Sequence, residues 1–217
     1  RRRRRVKPAE APKNCALCPR LVDYRRANAR AEPDWFNGPA PSFGDPQARL
    51  LIVGLAPGRT GANRTGRPFT GDYAGDLLYG TLKKLGLAEG EYRADPGDGF
   101  TLKDAMITNA VRCAPPENKP TPAEIAQCRP FLAARLAALP RLRVVLALGA
   151  IAHESVLRVH DLKASQAKFA HGAEFALPAG RTLLSSYHCS RYNTQTRRLT
   201  TEMFEAVMAR SQEIACG

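Results

Sequence analysis

The stretch of sequence richest in chemistry is GLAPGRTGANRTGRPFTGD, which runs from Gly54 to Asp72 directly after the apolar run RLLIV. It combines the aromatic ring of Phe69, the carboxylate of Asp72 and the polar side chains of Asn63 and Arg67. Neither the P-loop pattern nor the dinucleotide pattern G-x-G-x-x-G is present. An aromatic face beside a carboxylate and backbone donors favours a planar, polar ligand such as a nucleobase over a phosphate group.

Four of the six cysteines have a spacing that favours shared ligation. They are Cys15, Cys18, Cys113 and Cys128. Four thiolates bind zinc tetrahedrally or hold an iron–sulfur cluster, and the spacing does not separate these alternatives. The remaining interpretation is four separate buried thiols. We interpret the last two cysteines, Cys189 and Cys216, as non-ligands.

Apolar runs alternate with helical patterns along the chain, which indicates the elements that must position these residues. Strands are predicted at 49–53, 106–111, 143–148, 169–177 and 181–186. Helices are predicted at 19–31, 77–85, 123–139, 151–159 and 198–215. This alternation predicts a parallel α/β sheet with helices on both faces, and no repeat or linker indicates a second domain.

Ligands bind beyond the carboxyl ends of the strands in sheets of this kind. The loops after the first, second and last predicted strands should therefore form the site. His188 follows the last strand and is a candidate for that site. We interpret the other three histidines as surface or core residues; they are His153, His160 and His171.

The charge of the chain favours a polyanionic partner. The formal net charge is +13, and it is still +8 without Arg1 to Arg5. Nucleic acid is the partner that this excess indicates, and a solvated basic surface is the alternative. Residues 1–14 are predicted to be a disordered basic arm, and residues 15–217 a single domain. No segment approaches the roughly 20 apolar residues of a membrane span, so we expect no membrane partner.

Together, these motifs resemble the uracil-DNA glycosylase superfamily, and specifically its family 5, the B-type iron–sulfur enzymes. The motifs extend over most of the chain, from Cys15 to the last helix. They are the C-x-x-C pair, GLAPGRTGANRTGRPFTGD at 54–72, NAVRCAPPENKPTP at 109–122, Cys128, and SSYHCSRYNTQTRRLT at 185–200. The resemblance implies an α/β/α sandwich with a central, mostly parallel four-stranded sheet.

The resemblance implies a monofunctional DNA glycosylase. Such an enzyme hydrolyses the N-glycosidic bond of uracil, and of other deaminated or damaged bases such as hypoxanthine, and leaves an abasic site for base excision repair. No lysine is placed as a Schiff-base nucleophile, so we expect no strand cutting. The implied partner is double-stranded and single-stranded DNA, and the implied state is a cytoplasmic monomer in a bacterium or archaeon.

The resemblance also implies roles for individual residues. The catalytic residues would be Asp72, His188 and Asn118. Leu55 replaces the polar residue with which other glycosylase families position water, and Asp72 takes over an essential role. His188 would donate a hydrogen bond to the uracil O2 atom. The residues that would bind the base are Gly54, Leu55, Ala56, Pro57, Gly58, Phe69 and Asn109.

Three further sets of residues follow from the same resemblance. Phe69 would stack on the flipped base, and Asn109 would read its edge. The residues expected to contact DNA are Arg191, Tyr192, Arg197 and Arg198. The residues expected to hold a structural 4Fe-4S cluster are Cys15, Cys18, Cys113 and Cys128. The alternatives are a family 4 enzyme restricted to uracil, an inactive cluster-bearing nucleic-acid-binding protein, and a zinc-stabilised binding protein.

Overall fold

The computed structural model describes residues 9–217 as one sheet between two layers of helices, with a separate two-stranded hairpin. The strands are β1 (Phe43–Gly44), β2 (Leu50–Gly54), β3 (Ala88–Glu89), β4 (Thr101–Leu102), β5 (Ala105–Asn109), β6 (Val144–Leu148), β7 (Glu174–Leu177) and β8 (Arg181–Ser186). The helices are α1 (Pro19–Ala31), α2 (Ala62–Thr65), α3 (Tyr73–Lys84), α4 (Pro122–Ala137), α5 (Ala150–Val159), α6 (Arg191–Gln195) and α7 (Thr201–Cys216). None of the helices in this part of the chain is long and apolar enough to cross a membrane.

The main sheet has the order β1-β5-β2-β6-β8-β7. The four central strands are parallel, whereas the two edge strands pair antiparallel with their neighbours. The α/β class and the mostly parallel sheet are thus confirmed. The number of strands is corrected from four to six, because β1 and β7 extend the sheet at its edges.

The central strands are apolar on both faces because each face is covered by helices. Along β2, Leu50 and Ile52 lie in one apolar core, and Leu51 and Val53 lie in the other. Helices α3 and α7 cover the first face, and α4 and α5 cover the second. Continuous apolar runs are typical of parallel strands that are buried on both faces.

The parallel register brings three loops to one edge of the sheet. Gly54 at the end of β2 lies beside Asn109 at the end of β5. Leu148 at the end of β6 lies beside Ser186 at the end of β8. The segments that follow β2, β5 and β8 therefore meet at the carboxyl edge, as the sequence predicts.

The predicted strand at 169–177 is too long. The observed strand β7 begins only at Glu174, because a turn precedes it at Gly172. The backbone N–H of Ala173 donates to the carbonyl of Ala170 in this turn. Other boundaries move by a few residues. Helix α7 begins at Thr201, since the side chain of Thr200 caps it by accepting from Met203 N.

The predicted basic arm lies partly outside the described residues, which begin at Ala9. In its described part, Glu10 is bound to the domain. Oε2 of Glu10 accepts from Arg112 Nη1 at 2.7 Å, and its other oxygen pairs with Arg135. Burial opposes ionisation of Glu10, but Arg112, Ser42 and Arg135 together hold its pKa below the usual value. The acidic side chain thus neutralises a guanidinium that is 1% exposed.

Candidate active site

A pocket opens at the carboxyl edge of the sheet, where the loops after β2, β5 and β8 meet. Its inner part, which we call the inner pocket, is lined by the side chains of Phe69, Asp72, Asn109 and His188 and by residues 56–58. Its outer part, the outer groove, shares Asp72 and His188 and extends outwards. The further side chains that line the outer groove include Tyr24, Leu55, Arg59, Tyr73, Asn118 and Arg191. The sequence prediction of one site at this edge agrees with this geometry.

Gly54 lies beneath the inner pocket, where the side chains of Asn109 and Phe69 meet. A Cβ atom at Gly54 would stand 2.5 Å from Oδ1 of Asn109 and 2.6 Å from Cζ of Phe69. Asn109 is 2% exposed, and its Oδ1 atom has no hydrogen-bond partner among the described residues. A buried, unpaired carbonyl oxygen is costly unless a ligand satisfies it. The amide of Asn109 is therefore a candidate for base recognition.

The ring of Phe69 is held by an unusual backbone. Its φ is +54°, in the left-handed region that aromatic residues rarely adopt. The ring is buried and lies stacked near His188, with the centroids 5.9 Å apart and the planes at 27°. Strain of this kind is concentrated at ligand sites, where the surroundings hold it in place.

Asp72 is both the N-cap of α3 and a wall of the pocket. Its Oδ1 atom accepts from Gly75 N at 3.0 Å. A Cβ atom at Gly61 would stand 2.6 Å from its Oδ2 atom, so only a glycine leaves this oxygen its place. Burial raises the pKa of Asp72, the hydrogen bond from Gly75 opposes the rise, and Asp76 adds to it. One oxygen of the carboxylate thus caps the helix, and the other is a candidate for chemistry in the pocket.

His188 reaches the pocket from the segment that follows β8. Asn193 fixes this segment, since its Nδ2 donates to the carbonyl of His188 at 2.8 Å. Burial lowers the pKa of His188 to about 4. Its imidazole is therefore neutral at pH 7, with one N–H to donate and no charge to desolvate.

Asn118 and its neighbour form the rim of the outer groove. Both Glu117 and Asn118 have a positive φ, at +55° and +58°. They lie in a short 3₁₀ turn, Pro116–Asn118, and both are exposed. The backbone thus presents the side chain of Asn118 to solvent at the groove that also contains Asp72.

The predicted DNA contacts fall into two groups. Arg191 lines the outer groove, and its guanidinium lies 5.3 Å from the ring centroid of Tyr73. Tyr192, the next residue in the first turn of α6, is 71% exposed. Arg197 and Arg198 lie beyond α6 and are exposed, and Arg198 packs over the ring of Tyr187 at 4.7 Å. The structure does not bring this second pair into the groove.

Two polar residues of the glycine-rich stretch at 54–72 do not line the pocket, contrary to the sequence interpretation. Asn63 is 1% exposed and donates to Asn37 Oδ1 at 3.1 Å. Arg67 is 4% exposed and pairs with Asp98. The sequence alone does not distinguish them from ligand-binding residues, because asparagine and arginine also occur as buried side chains that bind other parts of the protein.

Sequence reasoning missed several residues of the outer groove, among them Tyr24, Arg59 and Tyr73. Tyr24 comes from α1, where nothing in the local pattern indicates a pocket. Arg59 and Tyr73 flank residues that the motif singled out, and their closeness to it was the available signal. Arg59 is held by a hydrogen bond from its Nε to Asn28 Oδ1 at 2.9 Å and by the ring of Trp35, 5.0 Å away.

The four cysteines singled out by spacing surround one apolar cavity next to α1 and α4. They are Cys15, Cys18, Cys113 and Cys128. Arg25 Nη1 donates to Cys113 Sγ at 3.6 Å, and the backbone N–H of Arg112 donates to Cys128 Sγ at 3.3 Å. Burial, with the other cysteines nearby, raises the pKa of Cys18 to about 11 and that of Cys113 to about 12. The four thiols are therefore neighbours in space.

The side-chain positions do not form a single-ion site. Within residues 9–217 no three His, Cys, Asp or Glu side chains are grouped so that they could hold a metal ion. In a tetrahedral zinc site with Zn–S bonds of about 2.3 Å, the sulfurs lie within roughly 4 Å of one another. The other two cysteines lie apart: Cys189 is buried against the carbonyl of Ala74, and Cys216 is exposed.

Comparison with known proteins shows the family of the chain. The family model described as "Uracil DNA glycosylase superfamily" matches residues 41–211. The chain is 51% identical over 207 residues to the type-5 uracil-DNA glycosylase of Thermus thermophilus, which covers 93% of this chain and 94% of that protein. It is 43% identical over 202 residues to that of Pyrobaculum aerophilum, covering 91% and 88%.

A more distant relative is the type-4 uracil-DNA glycosylase of Archaeoglobus fulgidus. That protein is 35% identical over 124 residues, which are 57% of this chain and 54% of its own length. The type-5 matches are thus both longer and closer in sequence than this type-4 match. The chain belongs to the uracil-DNA glycosylase superfamily and, within it, to the type-5 enzymes.

Proposed function

We propose that this chain removes uracil from DNA by hydrolysing the N-glycosidic bond and leaving an abasic site. The observation that carries the proposal is the convergence of Phe69, Asp72, Asn109 and His188 on one inner pocket in a chain of this family. A base must leave the stack to enter such a pocket, at a cost of a few kcal/mol. Stacking on Phe69 recovers part of that cost, since a base–aromatic contact contributes ~1–3 kcal/mol.

The unpaired Oδ1 atom of Asn109 supports a role in reading the base. It can accept from N3–H of uracil while the amide nitrogen donates to O4. Cytosine presents an acceptor and a donor in the reverse arrangement. Hypoxanthine presents N1–H beside O6, the same pattern as uracil, whereas adenine reverses it. One amide therefore separates both deaminated bases from their parents, and we include hypoxanthine among the substrates.

His188 would stabilise the leaving base. Negative charge develops on the pyrimidine as the bond to the sugar breaks, and a neutral imidazole can donate to O2. In a buried site, a preorganised donor of this kind contributes roughly 3–4 kcal/mol to the transition state. Its lowered pKa supports this role, because no proton has to leave the ring before the neutral base binds.

Asp72 would act on the sugar side of the bond. Leu55 lines the outer groove with an apolar side chain, so it supplies no group to orient water. The free oxygen of Asp72 can accept a proton from water or oppose the positive charge of the oxocarbenium ion. Asn118, exposed at the same groove, would support Asp72 by hydrogen bonding to that water.

Double-stranded and single-stranded DNA would both reach the pocket through the outer groove. Arg191, Tyr192, Arg197 and Arg198 would contact the backbone or the opened stack, with the net charge of +13 drawing phosphates to the surface. We propose that the chain acts as a monomer. We place its action in the cytoplasm, where bacterial and archaeal DNA lies.

The four cysteines would hold a 4Fe-4S cluster. Each thiolate of such a cluster binds a different iron, so the sulfurs lie further apart than around one zinc ion. The N–H groups of Arg25 and Arg112 that point at sulfur are of the kind that stabilise cluster thiolates. The group would brace α1 against α4 and would take no part in base release.

Asp72→Asn tests the assignment of the carboxylate. We expect base release from a duplex with one U·G pair to fall roughly 100-fold or more, as for loss of a general base. Single-turnover release, followed by alkali to reveal abasic sites, measures it, and a second duplex carries hypoxanthine. Asp76→Asn, an exposed acid further along α3, is the control and should retain activity. Wild type that binds both duplexes but releases neither base would instead indicate an inactive binding protein.

The rate of uracil release should show no inflection near pH 6.5 from His188. His188 stays neutral down to a pKa of about 4, while the carboxylate of Asp72 protonates above its usual pKa of 3.8 as the pH falls. The single-turnover rate should thus be flat from pH 6.5 to 8 and fall only at lower pH. The contribution of His188 to the free energy of unfolding should also fall below pH 6.5. In that range the unfolded chain binds a proton on His188, whereas the folded chain does not. An inflection near 6.5 that His188→Gln removes would contradict the assignment.

Asn109→Ala should relax the choice of base. We expect release of uracil to slow by about tenfold or more, because the variant leaves the N3–H and O4 groups without partners. Release of cytosine should not slow, so the ratio of the two rates falls. The measurement compares single-turnover rates on matched duplexes with uracil or cytosine at one position. An unchanged ratio would show that another group reads the edge.

Iron and sulfide analysis tests the cluster. The purified chain should be brown and contain about four iron and four sulfide per molecule. Cys113→Ser should lower both contents, whereas Cys216→Ser, at an exposed cysteine outside the group, should not. A colourless protein with one zinc ion would overturn the cluster and favour a zinc site.

A further inference from the structure

Phe69 needs more than its own packing to keep its position. Its φ of +54° is unfavourable for a bulky residue, so its surroundings must hold the backbone there. Part of the restraint is local. A Cβ atom at Gly75 would stand 1.8 Å from the carbonyl oxygen of Phe69, so the first turn of α3 lies directly against it.

The side chain of Arg67 closes the segment that carries Phe69. Arg67 Nε donates to Thr70 Oγ1 at 2.7 Å. The backbone N–H of Thr70 in turn donates to the carbonyl of Arg67 at 3.2 Å. Phe69 lies between the two linked residues, so a movement of the guanidinium would move the loop that sets the ring.

Asp98 fixes that guanidinium from behind the pocket. Arg67 Nη1 and Nη2 donate to Asp98 Oδ1 and Oδ2, both at 2.8 Å. The two side chains are 5% and 0% exposed. The carboxylate also accepts from the backbone N–H of Arg93 and of Phe100. A two-point contact between planar groups restrains rotation as well as distance.

Aromatic rings also surround the guanidinium of Arg67. The guanidinium carbon of Arg67 lies 5.2, 5.5 and 5.6 Å from the ring centroids of Phe43, Tyr79 and Tyr92. The hydroxyl of Tyr79 donates to the carbonyl of Pro68 at 2.5 Å, and that of Tyr92 to the carbonyl of Phe69 at 3.3 Å. Two of the three rings that pack on the cation thus also bind successive carbonyl groups of the loop.

We propose that the buried Arg67–Asp98 ion pair positions Phe69 for stacking on the flipped base. Neither residue lines the pocket, so both are positioning residues that act through Phe69. The inference rests on the stacking role proposed above for Phe69. It assigns a function to a charged pair that would otherwise count only towards stability, although a buried ion pair is often no more stabilising than apolar residues of the same size.

A double-mutant cycle of Asp98→Asn and Phe69→Leu tests the proposal. The measurement is single-turnover release of uracil from the U·G duplex, corrected for the folded fraction from equilibrium unfolding. We expect Phe69→Leu to slow release roughly tenfold, as for loss of a stacking contact. Asp98→Asn should slow it by a similar factor, and the double variant should be within about twofold of Phe69→Leu alone, because coupled residues do not add. Binding of undamaged duplex should be unchanged in all three.

The matched control is Asp104→Asn. Asp104 pairs with Arg49 at the amino ends of β2 and β5, away from the pocket, with 2.6 Å between Arg49 Nε and Asp104 Oδ2. Loss of this pair should affect stability without slowing release. If Asp98→Asn does not fold, Arg67→Lys replaces it in the cycle, since lysine keeps the charge but loses the two-point contact and the bond to Thr70.

The outcomes separate the two proposals. A double variant whose loss is the product of the single losses would overturn the positioning role, because Asp98 would then act independently of Phe69. Release by Asp98→Asn as fast as by Asp104→Asn would overturn it too. Unchanged release by Phe69→Leu alone would overturn the stacking role and the inference that rests on it, whatever Asp98→Asn does.

Discussion

The pocket depends on glycine residues at the points where its side chains and one carbonyl group come close to the backbone. Gly54 lies where a Cβ atom would collide with both Asn109 and Phe69. Gly61 similarly makes room for an oxygen of Asp72, and Gly75 for the carbonyl of Phe69. Asn109, Phe69 and Asp72 therefore each face a glycine. The glycine-rich loop is thus a device for close packing, in contrast to loops whose glycines expose backbone N–H groups to phosphate.

Burial shifts the pKa values of the two titratable groups of the pocket in opposite directions, but it favours the neutral form of both. It raises the pKa of Asp72 and lowers that of His188, so each is pushed towards its neutral form. Hydrogen bonds within such a buried site are stronger than in solvent. In the proposed reaction, charge that develops on the leaving base would meet a prearranged donor, whereas the large positive charge of the molecule would act at a distance on phosphates.

The sequence predicts the parts of the structure that depend on local patterns. Apolar runs predict the parallel strands, and the order of those strands explains why Asp72, Asn109 and His188 meet at one edge. Sequence reasoning fails where the partner of a residue is distant in the chain. Arg67 looks like a ligand-binding residue until Asp98 is seen to neutralise it, 31 positions away. The family motifs identify the pocket residues, but no local signal brings Tyr24 of α1 to the groove.

Helix α1 joins the cysteine region to the outer groove. Cys18 is its N-cap, and Arg25 donates to the sulfur of Cys113. Tyr24, on the same helix, lines the groove. Arg20 ties the helix to α4, with its Nε and Nη2 atoms 2.8 and 2.7 Å from the carboxylate oxygens of Glu124.

The far end of α1 is bound to the loop of the pocket, because Asn28 accepts from Arg59. Helix α1 thus contacts both the cysteine region and the loop that lines the groove. The cluster proposed for the cysteines would thus lie next to a helix that also lines the groove, without touching the base.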